Sequence, residues 1–191
     1  QYMASLGYMG QEGVVKNNSL DRITAKINLD QTLSKYVKAG LSLNISRNSL
    51  DNVPLGTGEY ENAGILSAAA MFNPTLPVYD ENGDYQVNPD FTQLPNPVSL
   101  LEITDKTVKD RILASAYVQV EPVKGLILKA NFGIDRQYEK RKQYLPKTTM
   151  YGQQANGRAD ISQSDNNDYL MDLTATYMKD FGNHSLTALV G

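Results

Sequence analysis

Three stretches of this chain alternate strictly between apolar and polar residues. Ile23, Ala25, Ile27 and Leu29 stand against Arg22, Thr24, Lys26 and Asn28. Leu126, Leu128, Ala130, Phe132 and Ile134 stand against Lys129, Asn131, Gly133 and Asp135, and Tyr169, Met171, Leu173, Ala175 and Tyr177 against Asp172, Thr174 and Thr176. Successive side chains of a strand point to opposite faces, so each stretch is a strand with one greasy and one wet face. Such segments, each of about ten residues and joined by turns and polar connections, are the signature of an outer-membrane β-barrel wall. A sandwich strand, which also keeps its charges off its inner face, shows the same alternation.

Composition narrows the field only slightly. With 41% hydrophobic and 20% charged residues and a net charge of −3, the chain is neither disordered nor built as a nucleic-acid-binding surface. No cysteine is present, which removes disulfides, thiolate metal sites and cysteine nucleophiles. No run of apolar residues is long enough for a transmembrane helix. The mean hydropathy of −0.41 carries no weight against a barrel, whose strands are apolar only at alternate positions.

About seven strands are expected, near residues 2–9, 20–30, 36–47, 110–121, 124–137, 167–179 and 184–191. Their connections alternate in length. Residues 31–35, 122–125 and 179–183 make short turns, whereas 10–19, 48–109 and 138–166 make long ones. A barrel wall has tight turns on the periplasmic side and long loops outside, while a soluble domain rarely needs a connection as long as 48–109. The expected lipid faces Ile23/Ala25/Ile27/Leu29, Ala39/Leu41/Leu43/Ile45 and Ala114/Ala116/Val118/Val120 carry no charge. Lys26, Lys38, Lys129, Asp135 and Asp172 fall on the opposite face. Both ends of the chain lie inside alternating segments, so 1–191 is expected to be an internal fragment of a barrel domain.

The 48–109 loop has a character of its own. Between positions 48 and 105 it holds no Lys or Arg but nine carboxylates (Asp51, Glu59, Glu61, Asp80, Glu81, Asp84, Asp90, Glu102 and Asp105) and six prolines. Residues 61–71 are expected to form a short helix stopped by Asn73-Pro74. Residues 78–85 read as a hairpin, with Asn82-Gly83 supplying a type I′ turn. The loop is therefore expected to be structured. The segment after Ile134 is basic instead, with Arg136, Lys140, Arg141, Lys142 and Lys147. Those cations suit a solvated rim, an anionic ligand or outer leaflet, or pairing with the acidic loop.

Candidate chemistry is sparse. The oxygens of Asp80 to Asp84 alternate as in calcium loops but lack the downstream bidentate Glu, and a plain hairpin explains them. His184 is the only histidine and sits at a turn, without partners for a zinc set or a triad. Asp168 and Asp172 share a face, as the carboxylates of a glycosidase do, but a polar barrel interior predicts them equally. No enzyme activity, cofactor or metal is expected. Tyr60, Phe72, Tyr79, Tyr85 and Phe91 lie in the long loop among Asn and Asp. Aromatic faces beside amides and carboxylates suit sugar binding, by stacking plus hydrogen bonds, or else form the small core that keeps the loop folded.

Several stretches resemble the SusC/RagA family of TonB-linked outer-membrane transporters of Bacteroidetes-type Gram-negative bacteria. They are Tyr-Met-Ala-Ser-Leu-Gly-Tyr at 2–8, Gln-Glu-Gly-Val-Val-Lys-Asn at 11–17, Asn-Leu-Asp at 28–30 and Tyr-Val-Lys-Ala-Gly-Leu-Ser-Leu at 36–43. Phe-Asn-Pro-Thr-Leu-Pro-Val-Tyr at 72–79, Asn-Pro-Val at 96–98 and Gly-Leu-Ile-Leu-Lys-Ala-Asn-Phe-Gly at 125–133 complete the set. The resemblance covers essentially the whole chain. It implies an all-β fold, a partial antiparallel transmembrane β-barrel of about seven strands cut from a plugged barrel of about 22. It further implies import of oligosaccharides or peptides, a SusD-like surface lipoprotein over the mouth, and energy from the TonB complex acting through a plug domain outside 1–191. The rival from another class is a soluble, secreted β-sandwich that binds glycans, which would bury its apolar faces against each other.

Overall fold

A computed structural model describes residues 1–54 and 64–191. Its strands are β1 (Tyr2–Glu12), β2 (Ser19–Ser34), β3 (Val37–Asp51), β4 (Thr104–Val123), β5 (Leu126–Leu145), β6 (Arg158–Phe181) and β7 (His184–Val190). Two short helices, α1 (Ile65–Met71) and α2 (Met150–Gln154), and a 3-10 turn at Ser99–Glu102 lie in the connections. All seven strands form one sheet in the order β1-β2-β3-β4-β5-β6-β7, each antiparallel to its neighbours.

Each strand expected from alternation is present, but several run further. β4 begins at Thr104 instead of 110, β5 continues to Leu145 instead of 137, and β6 begins at Arg158 instead of 167. The long connections therefore shrink to residues 13–18, 52–103 and 146–157. The added rungs carry polar residues on both faces, such as Lys106, Arg141, Lys142, Ser162 and Ser164. With no apolar face there is no alternation to read, yet the backbone ladder continues.

Register places the apolar residues side by side. Ala4, Ile27, Leu43, Ala114, Ile134 and Tyr169 are partners across six strands, and Tyr2, Leu29, Leu41, Ala116, Phe132 and Met171 form the next row. Most residues of these rows are exposed, with Tyr2 at 89%, Phe132 at 51% and Met171 at 69% of full exposure, and the rest are half-buried. Among the described residues no second sheet covers them. That single open sheet gives the sandwich reading no support.

The buried core lies elsewhere, at the end of the sheet that carries the long connections. It comprises Val53, Ile65, Ala68, Leu94, Leu100, Ile103 and Leu145, with Val15, Phe72, Leu101 and Tyr151 packed against it. All three long connections contribute, and so form one cap. Asn17 Nδ2 donates to the carbonyl of Leu101 (2.8 Å), tying the first connection to the second. Within α1 the amide of Phe72 closes the last turn on Ala68, before Asn73-Pro74 prevents continuation. Positions 61–63 of the expected helix lie outside the described residues.

Hairpin 78–85 forms with a different turn from the one expected. Tyr79 bridges Tyr85, the amide of Gly83 donates to the carbonyl of Asp80 (3.1 Å), and the amide of Asp80 to the carbonyl of Asp84 (2.8 Å). Only Gly83 (φ +86°) is left-handed there; Asn82 is not, which rules out type I′. Asp80 Oδ1 accepts from the amides of Asn82 (2.8 Å) and Asp84 (3.0 Å), so its side chain organises a three-residue loop closed by a glycine bulge.

Candidate functional site

Two surfaces could meet a solute: the polar face of the sheet and the cap. Along the polar face many long side chains are tied to a neighbouring strand. Arg22 Nε donates to Asn48 Oδ1 (2.6 Å), and Ser42 Oγ to Asn28 Oδ1 (2.8 Å). Arg111 grips both oxygens of Asp135 (2.9 and 2.5 Å), and Lys109 pairs with Glu139 (2.9 Å). Asn131 Nδ2 donates to Asp172 Oδ1 (2.5 Å). Tyr117 Oη reaches Asp30 Oδ1 (2.9 Å) while Lys129 sits 4.8 Å from the centre of its ring. This is a ladder of alternating donors and acceptors, broken by a shallow hollow of about 380 Å³ lined in part by Arg22, Asn44, Asn48, Arg111, Gln137 and Asn166. Amides, hydroxyls and guanidinium groups there can exchange hydrogen bonds with a hydrated solute.

Asp168 and Asp172 do share this face. Asp172 is occupied by Asn131, and Asp168 lies opposite Asp135 in the register. His184 opens β7, exposed, opposite Phe181.

In the cap, the aromatic residues divide by role. Phe72 packs against the core. Tyr79 and Tyr85 stack across the hairpin with ring centroids 5.1 Å apart and planes tilted by 32°. Tyr79 and Phe91 present exposed surfaces. Tyr60 lies outside the described residues. Tyr85 Oη donates to Glu102 Oε1 (2.7 Å), whose other oxygen accepts from Thr148 Oγ1, linking the hairpin to the β5–β6 connection. Burial first, and then the acidic partner Glu102, push the Tyr85 phenol well above its ordinary pKa. Asn96 Nδ2 bridges the carbonyls of Val78 (3.0 Å) and Gln86 (3.2 Å), pinning both strands of the hairpin.

Just below the cap, one ion pair clamps the start of β4 to β5. Both oxygens of Asp105 are held by Arg141, and Gln143 Nε2 adds a third donor (3.3 Å). This Arg141 pairing realises one of the open readings of the basic segment, that its cations meet the acidic loop. Arg136 pairs instead with Asp165 (3.0 Å). The links made by Glu102 and Asn96 had no counterpart in sequence reasoning, because no period connects the residues they join.

An open sheet, apolar on one face and polar on the other, with short turns at one end and long folded connections at the other, is a section of β-barrel wall. No profile of a known protein family matches the chain. The TonB-dependent receptor P3 of Formosa agariphila is 31% identical over 194 residues, covering 100% of this chain and 19% of that receptor. The TonB-dependent receptor SusC of Bacteroides thetaiotaomicron is 29% identical over 114 residues, 51% of this chain and 11% of its own length. A solved structure of the RagAB peptide transporter shares the fold, with a TM-score of 0.76 at 21% identity over 98% of this chain and 22% of that one. The chain matches a section of TonB-dependent receptors of the SusC/RagA type, and spans about a fifth of the length of the curated relatives it matches end to end.

Proposed function

We propose that this chain is a sector of the barrel of an outer-membrane importer of Bacteroidetes-type bacteria, which takes up oligosaccharides or peptides with energy from the TonB complex. The observation that carries this reading is the run of apolar rows, in register across the sheet and covered by nothing among the described residues. Lipid is the solvent such a face requires. The polar face then lines the conduit beside a plug contributed by other parts of the protein. The short turns face the periplasm and the cap faces outward. A SusD-like lipoprotein sits over the cap, and no residue of the chain performs covalent chemistry.

Within the cap the substrate contacts fall to the exposed aromatic surfaces of Tyr79 and Phe91, to the half-buried Tyr85 stacked on Tyr79, and to Tyr60. Phe72 supports them from the core. Ring faces flanked by carboxylates and amides suit either a sugar ring or a peptide backbone. Uptake of labelled oligosaccharides and of labelled peptides by cells carrying Tyr79→Ala with Phe91→Ala tests the assignment. Import of one of the two substrates should fall while the amount of receptor at the surface is unchanged. Undiminished import of both would remove the aromatic residues from the substrate path.

A further inference from the structure

Above the apolar rows, the same face of the sheet changes character in a graded way. Beyond Leu43, Ala114, Ile134 and Tyr169, the next row is Ile45, Ile112, Arg136 and Asn167, and the one after is Arg47, Asp110, Tyr138 and Asp165. Here the charges cancel in pairs. Arg47 grips Asp110 (2.6 and 2.7 Å) and Arg136 meets Asp165 (3.0 Å). In the two rows above them two lysines, Lys140 and Lys142, are left over. Lys140 has Val108 and Gln163 as its lateral neighbours, and Lys142 has Lys106 and Ile161. Lys106 and Lys142 stand directly opposite one another, an arrangement that destabilises a sheet unless an anion answers it. Asp51 answers Lys106 (3.1 Å). No ion pair reaches Lys140 or Lys142 among the described residues.

We propose that Lys140 and Lys142 form a docking site for the phosphate headgroups of outer-leaflet lipid. This rests on the membrane reading given above. The site is continuous with the lipid-facing rows and on the same face. The first surface a bilayer presents beyond its acyl chains is a layer of headgroups, and phosphate supplies the charge that these two ammonium groups lack. Tyr138 and Tyr144 share the face and flank the two lysines. Tyrosine there lays its ring along the interface and its hydroxyl in water. The long lysine stems let the ammonium groups adjust to the headgroup plane. The ion pairs of the lower row meanwhile remove the charge that would otherwise sit nearest the hydrocarbon.

The test uses the receptor purified from its own membrane and placed in phosphatidylcholine nanodiscs containing either diphosphorylated lipid A or its dephosphorylated form, with thermal unfolding as the readout. The phosphorylated lipid should raise the melting temperature relative to the dephosphorylated one. The shift should be lost in the variant carrying Lys140→Gln and Lys142→Gln, and kept in Lys26→Gln on the polar face. Equal melting temperatures in the two lipids, or a full shift in the double variant, would overturn the proposal. So would reproduction of the shift by inorganic phosphate in lipid-free detergent, which would make the ligand a free anion. Failure of the receptor to enter nanodiscs at all would instead overturn the membrane reading beneath it.

Discussion

Tyr117 crosses a neighbouring strand to reach Asp30, and it can do so because residue 40 is glycine. A Cβ at Gly40 would lie 2.1 Å from Cε1 of Tyr117 and 2.7 Å from Oδ1 of Asp30. Gly40→Ala therefore has to push the ring away and break the hydrogen bond to Asp30. We expect a loss of about 1–3 kcal/mol, the usual range for overpacking, measured by urea unfolding of the lipid-reconstituted protein. In a Tyr117→Ala background the same substitution should cost much less, because the ring it strikes is gone. Equal costs in the two backgrounds would show that the ring is not what the methyl meets. The Tyr85 phenol gives a second test at this scale. Because folding raises its pKa, the folded state prefers the protonated form. The resulting stability is complete below the ordinary phenol value of about 10 and is lost as pH rises through the raised one. Of the twelve tyrosines, Tyr85 should be among the last to ionise, and Tyr85→Phe should remove a late step from the tyrosinate absorbance titration.

Between elements, the link most open to experiment is the one that clamps the start of β4 to β5. Asp105 is nearly inaccessible at 4% side-chain exposure, while Arg141 remains 49% exposed. The two ends of the pair should therefore respond unequally. Arg141→Met strands a buried carboxylate and should cost about 1–3 kcal/mol. Asp105→Asn leaves a guanidinium that water can still solvate, and should cost less. Chemical denaturation of both variants checks the order, and a reversed order would mean that the carboxylate is better hydrated than its burial implies.

Strands of this kind were legible wherever one face was apolar. The alternation at 23–29, 126–134 and 169–177 revealed strand and face at once, and the fold added the register that sets matching faces side by side. It failed at Lys106, Arg141 and Ser162, where both faces are wet and a strand looks like a loop. The type I′ turn failed for another reason. Asn82-Gly83 is compatible with two turn types, and the side chain of Asp80 decided between them. The cap core was illegible altogether. Val53, Leu94, Leu100 and Leu145 recur at no period, and only the fold brings them together.

At the scale of the molecule, energetics depend on which solvent each face meets. Leu128→Arg or Phe132→Arg places a cation among the apolar rows and should cost about 2–4 kcal/mol at mid-membrane depth. The same change at Asn131, on the polar face between them, should cost far less. Folding yield into lipid vesicles checks the contrast, and equal tolerance at all three positions would contradict a lipid-facing band. The outermost strands β1 and β7 each present an edge free of backbone partners within the sheet, which a larger barrel would close.

The cap has a consequence for the order of assembly. Asn17 meets Leu101 across 84 positions of sequence, and Val53 reaches Leu145 only through the intervening β4 and β5. Closing such intervals costs chain entropy before any contact rewards it, and each hairpin that zips between them shortens the interval left to close. The cap is accordingly the last part of this sector to mature. Until the strands on either side have joined, the cap has no shape of its own.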